Sequence, residues 1–174
     1  MTKNCPGIEY KLDDNFGFIA GRASMALSRK LHQNFKEVGY DITAEQWSVL
    51  IKLWEKDGES QQGICSGTNR DKPSITRLID NLEKNNYVVR IPDKDDRRIN
   101  MIYLTSLGRE IKDKLIPVAK KTFEDSLIGI SDDEILVTRN ILNKIFYNLT
   151  ATCSEEQKQE AEVCPEAMAE ISAN

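Results

Sequence analysis

The sequence predicts a mostly α-helical fold with one small β-hairpin, and three observations carry that expectation. Apolar residues recur at three- and four-residue steps in four separate stretches. Helix-starting residues stand just before most of them. The apolar period drops to about two only once, between Tyr87 and Leu104. With 174 residues, 40% hydrophobic and 30% charged, the chain can bury one real core, as one domain or one domain with appendages.

The first helix is expected from Asn15 to Val38, where Phe16, Ile19, Ala20, Ala23, Leu27 and Leu31 share a face and Gly39 supplies the stop. Thr43-Ala44-Glu45-Gln46 has the form of a capping box, with the Thr hydroxyl and the Gln side chain each serving an orphan backbone N–H. The stripe Trp47, Leu50, Ile51 and Trp54 makes the next stretch a second helix, ending near Asp57-Gly58. Residues 60–67 read as a poor helix, because Gly63 and Gly67 each cost about 1 kcal/mol relative to alanine. Asp71-Lys72-Pro73-Ser74 is a strong start, with Asp as N-cap and Pro in the first turn. Ile75, Leu78, Ile79 and Leu82 continue that helix, and Asn85-Asn86 can close it, since Asn tolerates the left-handed conformation.

Tyr87 to Ile91 and Ile99 to Leu104 then read as two strands, joined by the charged connector 92–98. Thr105 can cap a long helix to about Leu127, with a kink expected at Pro117. Ser131-Asp132-Asp133-Glu134 is a second capping box, leading into the seam Ile135, Thr138, Leu142, Ile145 and Leu149. That seam is too apolar for a solvated helix, so packing against a second copy is expected, together with Phe16 and Ile19. The expected organisation is an N-terminal arm and first helix over 1–40, a central lobe over 41–105, C-terminal helices over 106–150 and an acidic tail over 151–174.

Charge is unevenly spread along the chain. The net charge is −4, but residues 151–174 hold six Glu and one Lys, which leaves residues 1–150 at +1. Residues 70–98 carry eight Lys/Arg against six Asp/Glu. No run of apolar residues is long enough for a membrane helix, and the N-terminus has no apolar core of a secretory signal, so a cytoplasmic protein without a membrane partner is expected. Cys5, Cys65, Cys153 and Cys164 have no Cys-x-x-Cys spacing, and His32 is the single histidine, which speaks against a metal site. Reduced thiols are the plain reading, with thiol-based sensing as the alternative. No phosphate-binding glycine motif and no nucleophile-and-base arrangement is present, so neither an enzyme nor a cofactor is expected.

Helix, short helix, strong helix, hairpin is the order of a winged helix-turn-helix. With Ile75 facing the core, the opposite side of its helix carries Pro73, Arg77, Asp80 and Lys84, flanked by Ser74, Thr76 and Asn81. Short hydrogen-bonding groups and cations suit the major groove. Lys94, Arg97 and Arg98 at the hairpin tip suit phosphates or a narrow minor groove. Asp80 and Lys84 can equally form an ordinary surface pair, and a charged hairpin tip can simply be solvated.

Two blocks carry a resemblance. Residues 74–88, SITRLIDNLEKNNYV, and the run DRR at 96–98 with LT at 104–105 and Gly108 resemble the MarR family of winged-helix regulators, and flanking helices of the right order extend the likeness over about residues 10–150. The resemblance implies a homodimer with interleaved N- and C-terminal helices, bound to a pseudo-palindromic duplex. It implies DNA contacts from Lys72, Ser74, Thr76 and Arg77, to which the helical phase adds Pro73 and Lys84, and from Asp96 and Arg98 in the wing, with the Asp96 carboxylate holding the Arg98 guanidinium while Lys94 or Arg97 is left for phosphate. It also implies a repressor released by a small aromatic or anionic ligand, in a pocket between the first two helices and the fifth, for which Arg22, Met25, Trp47 and Ile51 are the candidates. The chain departs from the pattern at QQGICSG, where an Ala/Leu-rich helix is usual, and at Asn86, where Gly is usual. Gly17 stands where the peroxide-sensing branch has its reactive Cys, so peroxide sensing is not carried over. A winged-helix module that binds protein rather than DNA remains the alternative from another class.

Overall fold

A computed structural model describes residues 11–150. They fall into two compact units, one ending at Ile128 and the other beginning at Gly129. In the first, a short 3-10 turn (Leu12–Asp14) precedes α1 (Phe16–Glu37), α2 (Ala44–Glu55), β1 (Glu59–Ser60), α3 (Gln61–Thr68), α4 (Lys72–Lys84), β2 (Val88–Pro92), β3 (Asn100–Leu104) and α5 (Ser106–Ser126). The second holds α6 (Asp132–Thr150).

The helix starts follow the local chemistry read from the sequence. Asn15 caps α1 by accepting from the Phe18 N–H at 3.0 Å. Thr43 and Gln46 form the reciprocal capping box of α2. Ser131 and Glu134 form another at the head of α6, and the two Ser131 donors draw the Glu134 carboxyl below its ordinary value. Asn86 takes the left-handed conformation, φ 60°, and so turns the chain from α4 into β2.

One expectation is refined and one element is added. The glycine-rich segment forms the expected helix, α3, and is better supported than its composition suggests. Ser60 caps it at the Gly63 N–H, Asn69 (φ 52°) ends it, and buried Ile64 and Cys65 hold it to the core. Tertiary packing overrides the glycine penalty. The added element is a third strand. Residues Glu59–Ser60 pair with Ile102 and Met101, giving an antiparallel sheet in the order β1-β3-β2. In α5, Pro117 is exposed and the helix continues past it to Ser126.

The core joins α1, α2, α3, α4, α5 and the sheet through Phe35, Leu50, Leu53, Ile64, Ile75, Ile79, Leu82, Ile102, Ile111 and Leu115, all fully buried. Phe35, Trp47 and Trp54 form an aromatic chain with centroids 5.0 and 5.3 Å apart. Gly108 lets α5 meet the wing: a Cβ there would stand 2.0 Å from the Tyr87 carbonyl oxygen. Its own carbonyl accepts from the Trp54 indole N–H at 2.9 Å. Thr105, the N-cap of α5, also donates to the Asn86 carbonyl at 2.6 Å, so one residue ties α5 to the turn after α4.

The apolar faces of α1 and α6 end up differently. Leu31 and Phe35 of α1 are buried, but Phe16, Ile19 and Met25 are about half exposed. No residue of α6 is buried, and Leu142 and Leu149 stay 42% and 76% exposed. Among the described residues no helix is long and apolar enough to cross a membrane.

Candidate nucleic-acid interface

Helix α4 is anchored on one face by Ile75, Ile79 and Leu82, so its other face must look outward. Its start is rigid. The Asp71 carboxylate accepts the Ser74 N–H at 2.7 Å, and the Ser74 side-chain and backbone donors hold its carboxyl below the ordinary carboxylate value. Lys72 and Pro73 occupy the first turn and are exposed. Arg77, Asn81 and Lys84 are exposed further along.

Several polar groups on this helix are already committed. The Thr76 hydroxyl donates to the Lys72 carbonyl at 2.8 Å and accepts from the Gln61 amide at 2.5 Å. It therefore ties α4 to α3 with its one donor spent, leaving an acceptor lone pair and the methyl for a base. Asp80 does not pair with Lys84. It accepts from Arg90 of β2 at 2.5 Å.

Arg90 is the site residue that sequence reading missed. Its guanidinium bonds Glu83 and Asp80 and reaches the Thr76 carbonyl at 3.4 Å, while its backbone N–H donates to Glu83 at 3.0 Å. With a side chain only 19% exposed, it neutralises the two acids of α4 and clamps that helix to the wing. The signal was present as two carboxylates one turn apart followed by a cation just beyond the turn.

The wing tip is built on Asp93, whose carboxylate accepts the Asp95 and Asp96 N–H groups at 2.9 and 3.1 Å and is held below its ordinary value by them. Asp96 accepts the Arg98 backbone N–H at 2.9 Å. The expected bond from Asp96 to the Arg98 guanidinium is replaced by this backbone bond, since the tight turn brings the N–H and not the long side chain to the carboxylate. Lys94, Arg97 and Arg98 are exposed. Among the described residues none of Lys72, Arg77, Lys84, Lys94, Arg97 and Arg98 enters an ion pair, whereas Arg90 and Arg109 are both spent, the latter on Asp57 at 2.6 Å. The α4 face and the wing thus keep six free cations.

The four candidate ligand residues are not brought together. Trp47 is spent on the core at 8% exposure, and Ile51 packs against that core. Met25 is exposed, and Arg22 lies over the Phe18 ring and 3.9 Å from Asp13. The described grooves lie elsewhere. One, of about 530 Å³, runs along α1 beside Arg29, His32, Gln33, Lys36 and Glu37. Another, of about 290 Å³, is lined by Trp54, Asp57, Leu104, Arg109 and Lys112. His32 is a partly exposed helix residue whose Nε2 lies 2.7 Å from Asp41, and with Lys36 it draws the Asp41 carboxyl below its ordinary value. Cys65 is a buried free thiol. Cys5, Cys153, Cys164 and the acidic tail lie outside the described residues.

Comparison with known proteins agrees with this geometry. The family model described as the MarR family matches residues 42–99, from the start of α2 to the wing tip. The HTH-type transcriptional regulator YkoM of Bacillus subtilis is 30% identical over 116 residues, covering 67% of this chain and 74% of that protein. A probable transcriptional regulator from Pseudomonas aeruginosa superposes with a TM-score of 0.72 at 25% identity, over 78% of this chain and 99% of that one. CouR from Rhodococcus jostii RHA1, solved bound to p-coumaroyl-CoA, does so with a TM-score of 0.65 at 27% identity, over 78% and 94%. A winged lobe with a free basic face, in a chain this similar to such regulators, has one reading: the chain belongs to the MarR family and is a DNA-binding transcriptional regulator.

Proposed function

We propose that the chain works in the cytoplasm as a homodimeric, sequence-specific repressor whose grip on DNA a small molecule loosens. The observation that carries the DNA half is the set of unpaired cations: Lys72, Arg77 and Lys84 on α4, and Lys94, Arg97 and Arg98 on the wing. Charges at the helix face and at the hairpin tip can follow a groove and its flanking phosphates. Arg77 is exposed near the first turns, and an arginine there can pair bidentately with guanine. Lys72, Pro73 and Ser74 set the helix entry, and Thr76 orients it through Gln61. Asp96 shapes the wing that carries Arg97 and Arg98.

The dimer half rests on apolar faces left open within one chain, Phe16 and Ile19 on α1 and Leu142 and Leu149 on α6. A two-fold dimer asks for a pseudo-palindromic operator, with half-sites about 34–36 Å apart. The ligand half rests on kinship with regulators such as CouR, which was solved with p-coumaroyl-CoA bound. A ligand held between α1, α2 and α5 in the dimer would have Arg22 and Met25 available as exposed side chains, while Trp47 and Ile51 belong to the core. It would release DNA only by binding the DNA-free state more tightly. The test is a gel shift with the duplex upstream of the protein's own gene, followed by a screen of aromatic acids and their thioesters. A retarded complex that disappears on adding one such compound is expected. Absence of any complex at low salt would favour the protein-binding module instead.

A further inference from the structure

We propose that Asn81 reads an adenine in each half-site, as the partner of a guanine read by Arg77; the assignment rests on the DNA-binding reading above. Most polar groups of α4 are already committed elsewhere. The Thr76 hydroxyl is held by Lys72 and Gln61, Asp80 and Glu83 are held by Arg90, and Ser74 at the helix start is only part-exposed. What remains on the outward face is Lys72, Arg77, Asn81 and Lys84. Three of these are cations that can only donate. Asn81 alone keeps both a donor and an acceptor, and its neighbour Asn85 bonds its backbone carbonyl rather than its side chain.

A donor and an acceptor on one planar amide match the N6 and N7 edge of adenine, and no other base edge in the major groove matches them as well. Arg77 and Asn81 stand four residues apart, so their Cβ atoms lie about 5–6 Å from each other on one face. Base pairs rise about 3.4 Å per step, which sets the guanine and the adenine one to two steps apart. Arg90 makes this possible. By pairing Asp80 and Glu83 it keeps two carboxylates next to the reading face from repelling phosphates.

The experiment is selection of duplexes from a pool with a randomised centre, using the full chain and its Asn81→Ala and Arg77→Ala variants. Thermal unfolding of each variant checks that an exposed substitution leaves the fold intact. The wild type should enrich half-sites holding a guanine and an adenine one or two steps apart. Asn81→Ala should keep the guanine and lose preference at the adenine by roughly 5- to 150-fold. Its affinity for unselected duplex should be unchanged, because Asn81 neutralises no phosphate. Arg77→Ala should do the converse. An adenine preference that survives in Asn81→Ala, or half-sites in which only the Arg77-dependent guanine is selected, overturns the assignment while leaving DNA binding standing. A wild type that enriches no motif and binds no duplex overturns the DNA-binding reading, and the Asn81 assignment with it.

Discussion

Helix α4 buries Ile75, Ile79 and Leu82 completely, whereas α6, a longer helix with its own apolar seam, buries nothing. Both sequences repeat apolar residues at helical spacing, so periodicity alone does not separate them. The difference lies in what covers the seam. The seam of α4 is covered by α2, α3 and the sheet, which frees its polar face for a ligand as large as DNA. Among the described residues nothing buries the seam of α6, and under the proposed dimer a second copy would cover it. On that proposal, stability of the winged lobe is a property of one chain, while stability at α6 depends on concentration.

The largest expected effect sharpens that contrast. Ile79→Ala should cost about 2–5 kcal/mol of unfolding free energy, independent of protein concentration, in urea titrations. Leu142→Lys on α6 should leave the urea transition of the winged lobe nearly unchanged, yet raise the dimer dissociation constant tenfold or more in sedimentation equilibrium. If Leu142→Lys instead lowers stability equally at all concentrations, α6 is covered within its own chain and the contrast breaks. Next in size is Arg90→Met, which removes the clamp between α4 and the wing. A loss of about 1–2 kcal/mol is expected, because two partly exposed carboxylates lose a charged donor. The same variant should also weaken duplex binding, through two freed negative charges on the reading helix.

The smallest effect concerns acid. Donors from Ser74 hold the Asp71 carboxyl below its ordinary value of 3.8 in the folded chain. A depressed folded value means stability that is present above about pH 4 and lost as pH falls through that folded value. Asn is also a good N-cap. Asp71→Asn should therefore match the wild type near neutral pH and lose less stability between about pH 4 and pH 2 in urea titrations.

Much of this molecule was legible because its punctuation is local. Thr43 with Gln46, Asp71 with Pro73, Asn86, Thr105 and Ser131 with Glu134 each act within a few residues, and each stands in the structure where local chemistry predicts it. The misses are non-local. The two residues of β1 have no apolar pattern and exist because β3 pairs with them. Helix α3 is held by a cap and two buried side chains against the preference of its glycines. Arg90 reaches back across a turn to Asp80, ten residues away. At the interface the exposed cations were legible from charge and helical phase. Which hydroxyls were already spent was not, because Thr76 is bonded from fifteen residues away.

Whether the free cations of α4 and the wing grip DNA in two different ways is tested most directly by affinity against salt. Affinities of the wild type, Arg77→Ala and Arg98→Ala are measured on a selected duplex and on a random one across a salt series. The wild type should show a steep linear fall of log affinity with log salt, from counterion release. Arg98→Ala should weaken both duplexes alike and lower the slope by about one unit for each phosphate it no longer neutralises. Arg77→Ala should weaken chiefly the selected duplex, with its slope on the random one nearly kept. Wild-type affinity that ignores salt, or two arginine variants indistinguishable from the wild type on both duplexes, would contradict the account.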